Sequence, residues 1–172
     1  MILTGPKILE EVEAGRIVIE PFDPGQINPN SYDFRLSEEL LCYTDRMLDS
    51  AVLNPSEMIE FPPGGLVLRP DRVYLGCTVE TMGSEFYVPI IRGKSSLARL
   101  GLFINMTADL IDLGSVNQWT LQFHAIEPLR IYPKMLIGQV TFWIPEGEKV
   151  LYSGKYQGSR GPRASLSYED CP

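Results

Sequence analysis

Residues 72–93 have the sequence RVYLGCTVETMGSEFYVPIIRG, in which two β-prone runs flank a short segment containing Gly83 and Ser84. Val, Ile, Tyr and Phe are typical of strands, and glycine with serine is typical of the turn between them. This stretch predicts two short strands joined by a turn.

The same pattern continues on both sides. Short β-prone runs separated by Pro, Gly or Asn cover most of the chain, namely RIVIEPF, SYDFRLS, ELLCYT, MIEFPPGGLVLRP, LFINMTADLI, QWTLQFHAI and LRIYPKMLIGQVTFWIP. Many short strands with little helix are typical of a β-sandwich or a jelly-roll-like barrel. We therefore predict a mainly β fold.

The segment TGPKILEEVEAG, residues 4–15, departs from the β pattern. Thr4 stands at a capping position, proline follows early, and Gly15 ends the segment. Its apolar residues include Ile8, Leu9 and Val12. The segment predicts one short N-terminal helix.

The length favours one domain, residues 1–172, with a substantial core. The formal net charge of −7 disfavours long nucleic acid as a partner, because binding many phosphates needs clustered Lys and Arg. A small anionic ligand remains compatible with this charge, since a few local cations are enough to bind it.

The cysteines are three in number, widely spaced and outside any CxxC pattern: Cys42, Cys77 and Cys171. This favours a reducing compartment over a disulfide framework or a thiolate metal site. The N-terminus lacks a signal-peptide pattern, and no apolar run approaches about 20 residues. We expect a cytoplasmic protein without membrane attachment.

A second break in the β pattern is KSSLARLG, residues 94–101, which suits one or two helical turns capped by Ser95 or Ser96. Three basic residues surround its start, namely Arg92, Lys94 and Arg99. A helix start in such surroundings suits an anion. The alternative is a surface turn with solvated basic side chains, and the sequence leaves both open.

The C-terminal segment, residues 152–172, mixes glycines with basic residues and tyrosines. One interpretation is a disordered terminus, which is common. The other is a flexible flap that closes over a phosphorylated, ring-bearing ligand.

Four separated motifs, RGKSSLARLG, TADLIDLGS, MLIGQVTF and GKYQGSRGPRAS, resemble the dCTP deaminase branch of the dUTPase-like superfamily in order and spacing. The early segment INPNSYDFRL resembles that branch as well. Because the motifs extend over most of the chain, together they are far more specific than any one alone.

The resemblance implies a distorted jelly-roll or β-barrel subunit, a homotrimer with sites between subunits, and a pyrimidine deoxynucleoside triphosphate ligand. Members convert dCTP to dUTP and ammonia, some continue to dUMP and pyrophosphate, and the dUTPase branch performs only the second step. Mg²⁺ bound through the phosphates is implied, with no ligands from the protein, and dTTP is an implied candidate regulator.

Individual roles also follow from the resemblance. Ser95 and Arg99 match residues that contact phosphate and organise the reactive groups. Thr107 and Ala108 match a hairpin that contacts the pyrimidine edge, and Asp112 matches the residue supporting the sugar. The remaining nucleotide-binding positions implied are Lys94, Ser96, Gln139, Tyr152, Lys155, Tyr156 and Ser159.

The family's proton-carrying glutamate is replaced here by Gln122, ten residues after Asp112. A glutamine amide cannot accept and return a proton at neutral pH. General acid–base catalysis contributes about 10²–10⁴-fold, so we expect weak deamination. His124 shares a strand face with Gln122 and is a candidate substitute base, although a histidine displaced by about 6.6 Å along a strand is also compatible with a structural role.

The chain also differs from the family pattern at Asp109, Ser115 and Ser159. Asp109 is a further acidic candidate or a solvated turn residue. Together the differences favour natural divergence over a deliberate Gln122 substitution. Zinc is not expected, since zinc deaminases carry a HxE…PCxxC signature and this chain has one histidine and no close cysteine pair.

Three hypotheses follow. The first is a dCTP deaminase-type enzyme with deamination weakened at Gln122. The second is a Mg²⁺-dependent dUTP pyrophosphatase in which Asp112 directs water. The third is a catalytically silent nucleotide-binding or regulatory homologue.

Overall fold

The computed structural model describes residues 1–171, and antiparallel strands make up most of the ordered elements. The helices are α1 (Gly5–Glu13) and α2 (Ser95–Ala98), and there are 3-10 turns at Pro24–Gln26 and Ser167–Asp170. The strands are β1 (Val18–Glu20), β2 (Ile27–Asn28), β3 (Ser31–Tyr43), β4 (Ser56–Glu60), β5 (Leu66–Leu68), β6 (Tyr74–Gly83), β7 (Val88–Gly93), β8 (Leu102–Phe103), β9 (Asn117–Ala125), β10 (Leu129–Ile131) and β11 (Leu136–Trp143). The mainly β class and both helices are confirmed.

The main sheet follows the order β7-β11-β3-β6-β9-β8, with β1 on β6 and both β2 and β4 on β3. Strand β3 is central because it joins two parts of this sheet. Its first half pairs with β11, and after a register shift between Leu36 and Leu40 its second half pairs with β6 and β4. The runs SYDFRLS and ELLCYT, predicted as separate strands, are therefore one irregular strand.

The segment between β8 and β9 brings the two ends of the sheet together. Gln122 in β9 donates its backbone N–H to the Ile104 carbonyl (2.8 Å), and Ile91 in β7 donates to the Asp109 carbonyl (2.8 Å). The sheet is thereby nearly closed into a barrel. The predicted strand LFINMTADLI was too long, because after Phe103 these residues turn across the barrel opening.

Strand β9 shows how the barrel divides its side chains between core and site. Trp119, Leu121 and Phe123 are at most 3% exposed. The alternate residues are partly exposed on the opposite face: Gln118, Thr120, Gln122 and His124. This alternation follows from the two-residue period of a strand, and it confirms that Gln122 and His124 share a face.

Helix α1 packs Ile8 into the core and ends before Gly15, which adopts φ +70. Thr4 occupies the predicted N-cap position but makes no side-chain capping bond. The structure instead buries Glu11, whose carboxylate accepts hydrogen bonds from Arg16, so that this guanidinium holds the pKa of Glu11 well below its usual range. The predicted cap of α2 at Ser95 or Ser96 was wrong, since Lys94 occupies the N-cap position and makes no side-chain capping bond there.

Candidate functional site

A cavity of about 590 Å³ lies against the polar face of β9. The hairpin between β8 and β9 forms one wall, and the C-terminal segment forms another. The cavity is lined by Tyr43, Val73, Leu75, Met106, Thr107, Ala108, Leu110, Ile111, Asp112, Ser115, Asn117, Gln118, Trp119, Thr120, Gln122, Tyr152, Tyr156, Ser159, Arg163, Ala164 and Ser165.

Seven of the residues predicted from the sequence meet in this cavity, although they come from three separate segments. They are Thr107, Ala108 and Asp112 of the hairpin, Gln122 of β9, and Tyr152, Tyr156 and Ser159 of the C-terminal segment. The fold therefore brings the hairpin and tail motifs to one site.

The side chain of Gln122 has a fixed orientation within this lining. Its Nε2 donates to the backbone carbonyl of Thr120 at 2.9 Å. Its Oε1 is shielded from solvent and has no hydrogen-bond partner among the described residues. The opposite amide orientation would place Oε1 against the Thr120 carbonyl, acceptor against acceptor. Thr120 thus leaves Gln122 with an unsatisfied acceptor.

The hairpin is held from outside the cavity by an ion pair. The Asp109 carboxylate accepts a hydrogen bond from Arg92 of β7. This contact, together with the bond from Ile91 N–H to the Asp109 carbonyl, ties the hairpin to the barrel. The geometry gives Asp109 an anchoring contact, while the exposed Asp112 is the single carboxylate of the described cavity lining.

The C-terminal segment lies along the polar face of β9 through backbone donors. Gly161 N–H donates to Gln118 Oε1 (2.9 Å), and Arg163 N–H donates to Thr120 Oγ1 (3.1 Å). Ser165 N–H donates to Tyr43 Oη (2.8 Å). Nothing local in the sequence indicates these acceptors, because the residues that donate to Gln118 and Thr120 come 43 positions later and the residue that donates to Tyr43 comes 122 positions later.

A buried polar network joins two of the residues that depart from the family pattern. Asn117 donates from Nδ2 to Ser115 Oγ (2.8 Å) and accepts at Oδ1 from Ser159 N–H (3.0 Å). Ser115, Asn117 and Ser159 are each at most 8% exposed. The two serines, 44 positions apart in the sequence, therefore form one structural unit around Asn117.

Five of the other predicted residues lie in or next to α2 and in β11, outside the described cavity lining. Ser95 and Ser96 are exposed on α2, and Arg99 is exposed directly after it. Lys94 is bonded to the buried Asp33 of β3. Gln139 accepts at Oε1 from Ser31 Oγ (2.8 Å).

The last two predicted residues also lie outside the described lining. Lys155 Nζ donates to Asp170 Oδ2 (2.5 Å) and to the Leu166 carbonyl (2.8 Å). This contact with Asp170 raises the pKa of Lys155. The His124 ring lies 6.4 Å from the Phe103 ring, at the end of β9 that pairs with β8. The structure therefore does not bring His124 to Gln122's cavity.

Within residues 1–171, the His, Cys, Asp and Glu side chains form no cluster of three or more suited to holding a metal ion. Over the same residues, the helices are too short or too polar to cross a membrane.

Comparison with known proteins identifies the family of this chain. The family model described as dCTP deaminase-like matches residues 2–144. Proteins named "dCTP deaminase, dUMP-forming" from Clostridium beijerinckii and Hathewaya histolytica are each 44% identical over 171 residues, which covers 99% of this chain and 98% and 99% of theirs. The chain belongs to the dCTP deaminase-like family.

A solved structure supports the fold. The crystal structure of 2'-deoxycytidine 5'-triphosphate deaminase from Agrobacterium tumefaciens matches with a TM-score of 0.66 and 20% sequence identity. The match covers 84% of this chain and 48% of that longer chain. The barrel is thus the dCTP deaminase fold.

Proposed function

We propose that this protein binds a pyrimidine deoxynucleoside triphosphate and acts in pyrimidine deoxynucleotide metabolism by the dCTP deaminase reaction. The observation that carries this proposal is the cavity that joins the Thr107–Asp112 hairpin to Gln122 and to the tyrosines of the C-terminal segment. Relatives of nearly the same length, named as dUMP-forming dCTP deaminases, support it.

In the proposed reaction a water oxygen bonds to C4 of cytosine, protons pass to the exocyclic amino group, and the C4–N bond breaks to give dUTP and ammonia. Gln122 can orient the water and the base by hydrogen bonds but cannot carry the proton. We therefore expect deamination about 10²–10⁴-fold slower than with a glutamate at this position.

A second candidate activity is favoured by Asp112. Its exposed carboxylate lines the cavity, and splitting dUTP to dUMP needs no proton carrier at position 122. Here a water oxygen bonds to the α-phosphorus while the bond to the β-phosphate oxygen breaks, releasing pyrophosphate. The dUMP-forming activity named for the relatives combines this step with the first.

The cavity of one chain is poorly equipped for the triphosphate. Arg163 is the single cationic residue among its described lining residues, whereas a triphosphate carries several negative charges. Ser95 and Arg99 are exposed elsewhere on the chain. We propose that a neighbouring subunit of a homotrimer supplies them, as the family resemblance implies.

Magnesium fits this proposal as a cation that arrives with the nucleotide. Asp112 alone offers a carboxylate in the described lining, which is too few ligands for an all-protein magnesium cage. When bound through the phosphates, Mg²⁺ neutralises their charge.

For regulation, we propose that dTTP binds in the same cavity.

The test is an incubation of the purified protein with Mg²⁺ and either dCTP or dUTP, measuring ammonia, dUMP and pyrophosphate separately. Ammonia from dCTP supports the first activity, and pyrophosphate from dUTP supports the second. Nucleotide binding without either product would support the third hypothesis, a catalytically silent nucleotide-binding or regulatory homologue. Absence of both binding and turnover would refute the proposed function.

A further inference from the structure

The unsatisfied amide oxygen of Gln122 is the starting observation. Gln122 Nε2 donates to the Thr120 carbonyl at 2.9 Å, and Oε1 is buried without a partner among residues 1–171. A buried acceptor without a partner is unfavourable, and a ligand donor that reaches it recovers the lost hydrogen bond.

The orientation of this amide is fixed by the backbone. The backbone N–H of Gln122 donates to the Ile104 carbonyl (2.8 Å), and Gln122 is paired in the sheet with Leu75 of β6. The strand that carries both Gln122 and the Thr120 carbonyl is therefore held on both sides. Turning the amide over would replace an attractive N–H···O contact with two facing oxygens.

We propose that Gln122 is a specificity-determining residue that selects a 4-aminopyrimidine over a 4-oxopyrimidine. The inference rests on the proposed function, in which the 4-position of the base faces residue 122. An exocyclic amino group donates to Oε1 and satisfies it. A 4-oxo group presents another acceptor and leaves Oε1, which is shielded from solvent, without a donor.

Selection of the 4-amino group also affects how the site binds the product of deamination. A glutamate can present either a proton or an acceptor, and so can match both the substrate and the product. The Gln122 amide cannot change in this way while Thr120 holds its N–H group. Any dUTP formed from dCTP therefore meets an acceptor at its 4-oxo group and binds this site more weakly than dCTP does.

The test is calorimetric titration of the full chain, with Mg²⁺, using the α,β-imido analogues of dCTP and dUTP. Chromatography after each titration verifies that the cytosine base is unchanged. We expect the wild-type protein to bind the dCTP analogue about 10–100-fold more tightly, as a site with a dedicated hydrogen-bonding group discriminates against a ligand that cannot satisfy it.

The matched variant is Gln122→Leu, which keeps a similar volume without the acceptor. We expect its preference to fall to within about threefold, mainly through weaker binding of the dCTP analogue. A thermal melt verifies that the variant is folded, and Gln122→Met replaces it if it is not. The analogue of 2-pyrimidinone deoxyribonucleoside triphosphate, which has no 4-substituent, should bind both proteins with similar affinity.

The outcomes separate the two proposals. Equal binding of the two analogues, or a preference for the dUTP analogue through its N3–H donor, would overturn the specificity proposal and leave the nucleotide-binding function in place. A preference that survives Gln122→Leu would also overturn it. If neither analogue binds, the proposed function itself fails.

Discussion

Asn117 accepts a hydrogen bond from the backbone N–H of Ser159 at 3.0 Å, and this buried contact links the C-terminal segment to β9. The same side chain donates to Ser115 Oγ at 2.8 Å. The C-terminal wall of the cavity is therefore fixed to the barrel through Asn117.

We expect Asn117→Ala to loosen the segment, because it leaves the Ser159 N–H and the Ser115 hydroxyl without their partner. The expected loss in the free energy of unfolding is about 1–3 kcal/mol, measured by urea denaturation. Limited trypsin digestion should cleave faster after Lys155, Arg160 or Arg163. Gln157→Ala is the control, since its exposed amide makes one bond, to the Gly114 carbonyl. Equal cleavage of both variants would contradict the anchoring role.

Restoring a carboxyl group at position 122 should restore proton transfer. In Gln122→Glu one carboxyl oxygen would lie near the Thr120 carbonyl, where only the protonated form can donate, so we expect the pKa of this glutamate to be raised. Ammonia release from dCTP should rise by up to about 10²–10⁴-fold.

The control for that experiment is His124→Ala, which changes a residue on the same strand face outside the described cavity lining. We expect ammonia release to stay within about twofold of the parent, since no group that contacts the ligand is removed. A large loss would mean that His124 acts as the base. If Gln122→Glu binds dCTP normally but releases no more ammonia than the parent protein, then Gln122 alone does not limit deamination.

The pair formed by Lys155 and Asp170 makes a separate prediction about nucleotide affinity. Asp170 forms an ion pair with the ammonium group of Lys155, which the family resemblance implies is one of the groups that bind the triphosphate. We expect Asp170→Asn to strengthen triphosphate binding by up to about fivefold, which is the range for a solvent-exposed ion pair. Glu169→Gln removes the neighbouring exposed charge and should have a smaller effect in the same titration. Weaker binding by Asp170→Asn would argue that Asp170 supports the bound state.

Lys94 is expected to contribute more to stability than its place in a phosphate-binding motif suggests. It is bonded to Asp33, a residue that is 6% exposed and whose Oδ1 has no partner in the described part of the chain. Lys94→Met should lower the free energy of unfolding by about 1–3 kcal/mol, since it leaves a buried carboxylate unpaired. Adding Asp33→Asn should recover part of the loss. If the single variant keeps full stability but loses nucleotide binding, Lys94 acts on phosphate directly.

The amino-acid pattern predicted the fold class and most strands because β-propensity and turn residues act locally. It failed where tertiary contacts decide the outcome. The predicted runs on either side of Glu38 join into β3, since one strand pairs first with β11 and then with β6. The residues after Phe103 leave the sheet in order to close the barrel.

The candidate site divides in the same way. The sequence by itself determined the family motifs and the loss of a proton carrier at Gln122, because both are properties of residue type and order. Only the tertiary structure decided that His124 lies outside the described cavity lining, that Asn117 joins Ser115 to Ser159, and that Thr120 fixes the Gln122 amide. The physical reason is that hydrogen bonds between groups distant in sequence depend on their positions in the folded barrel.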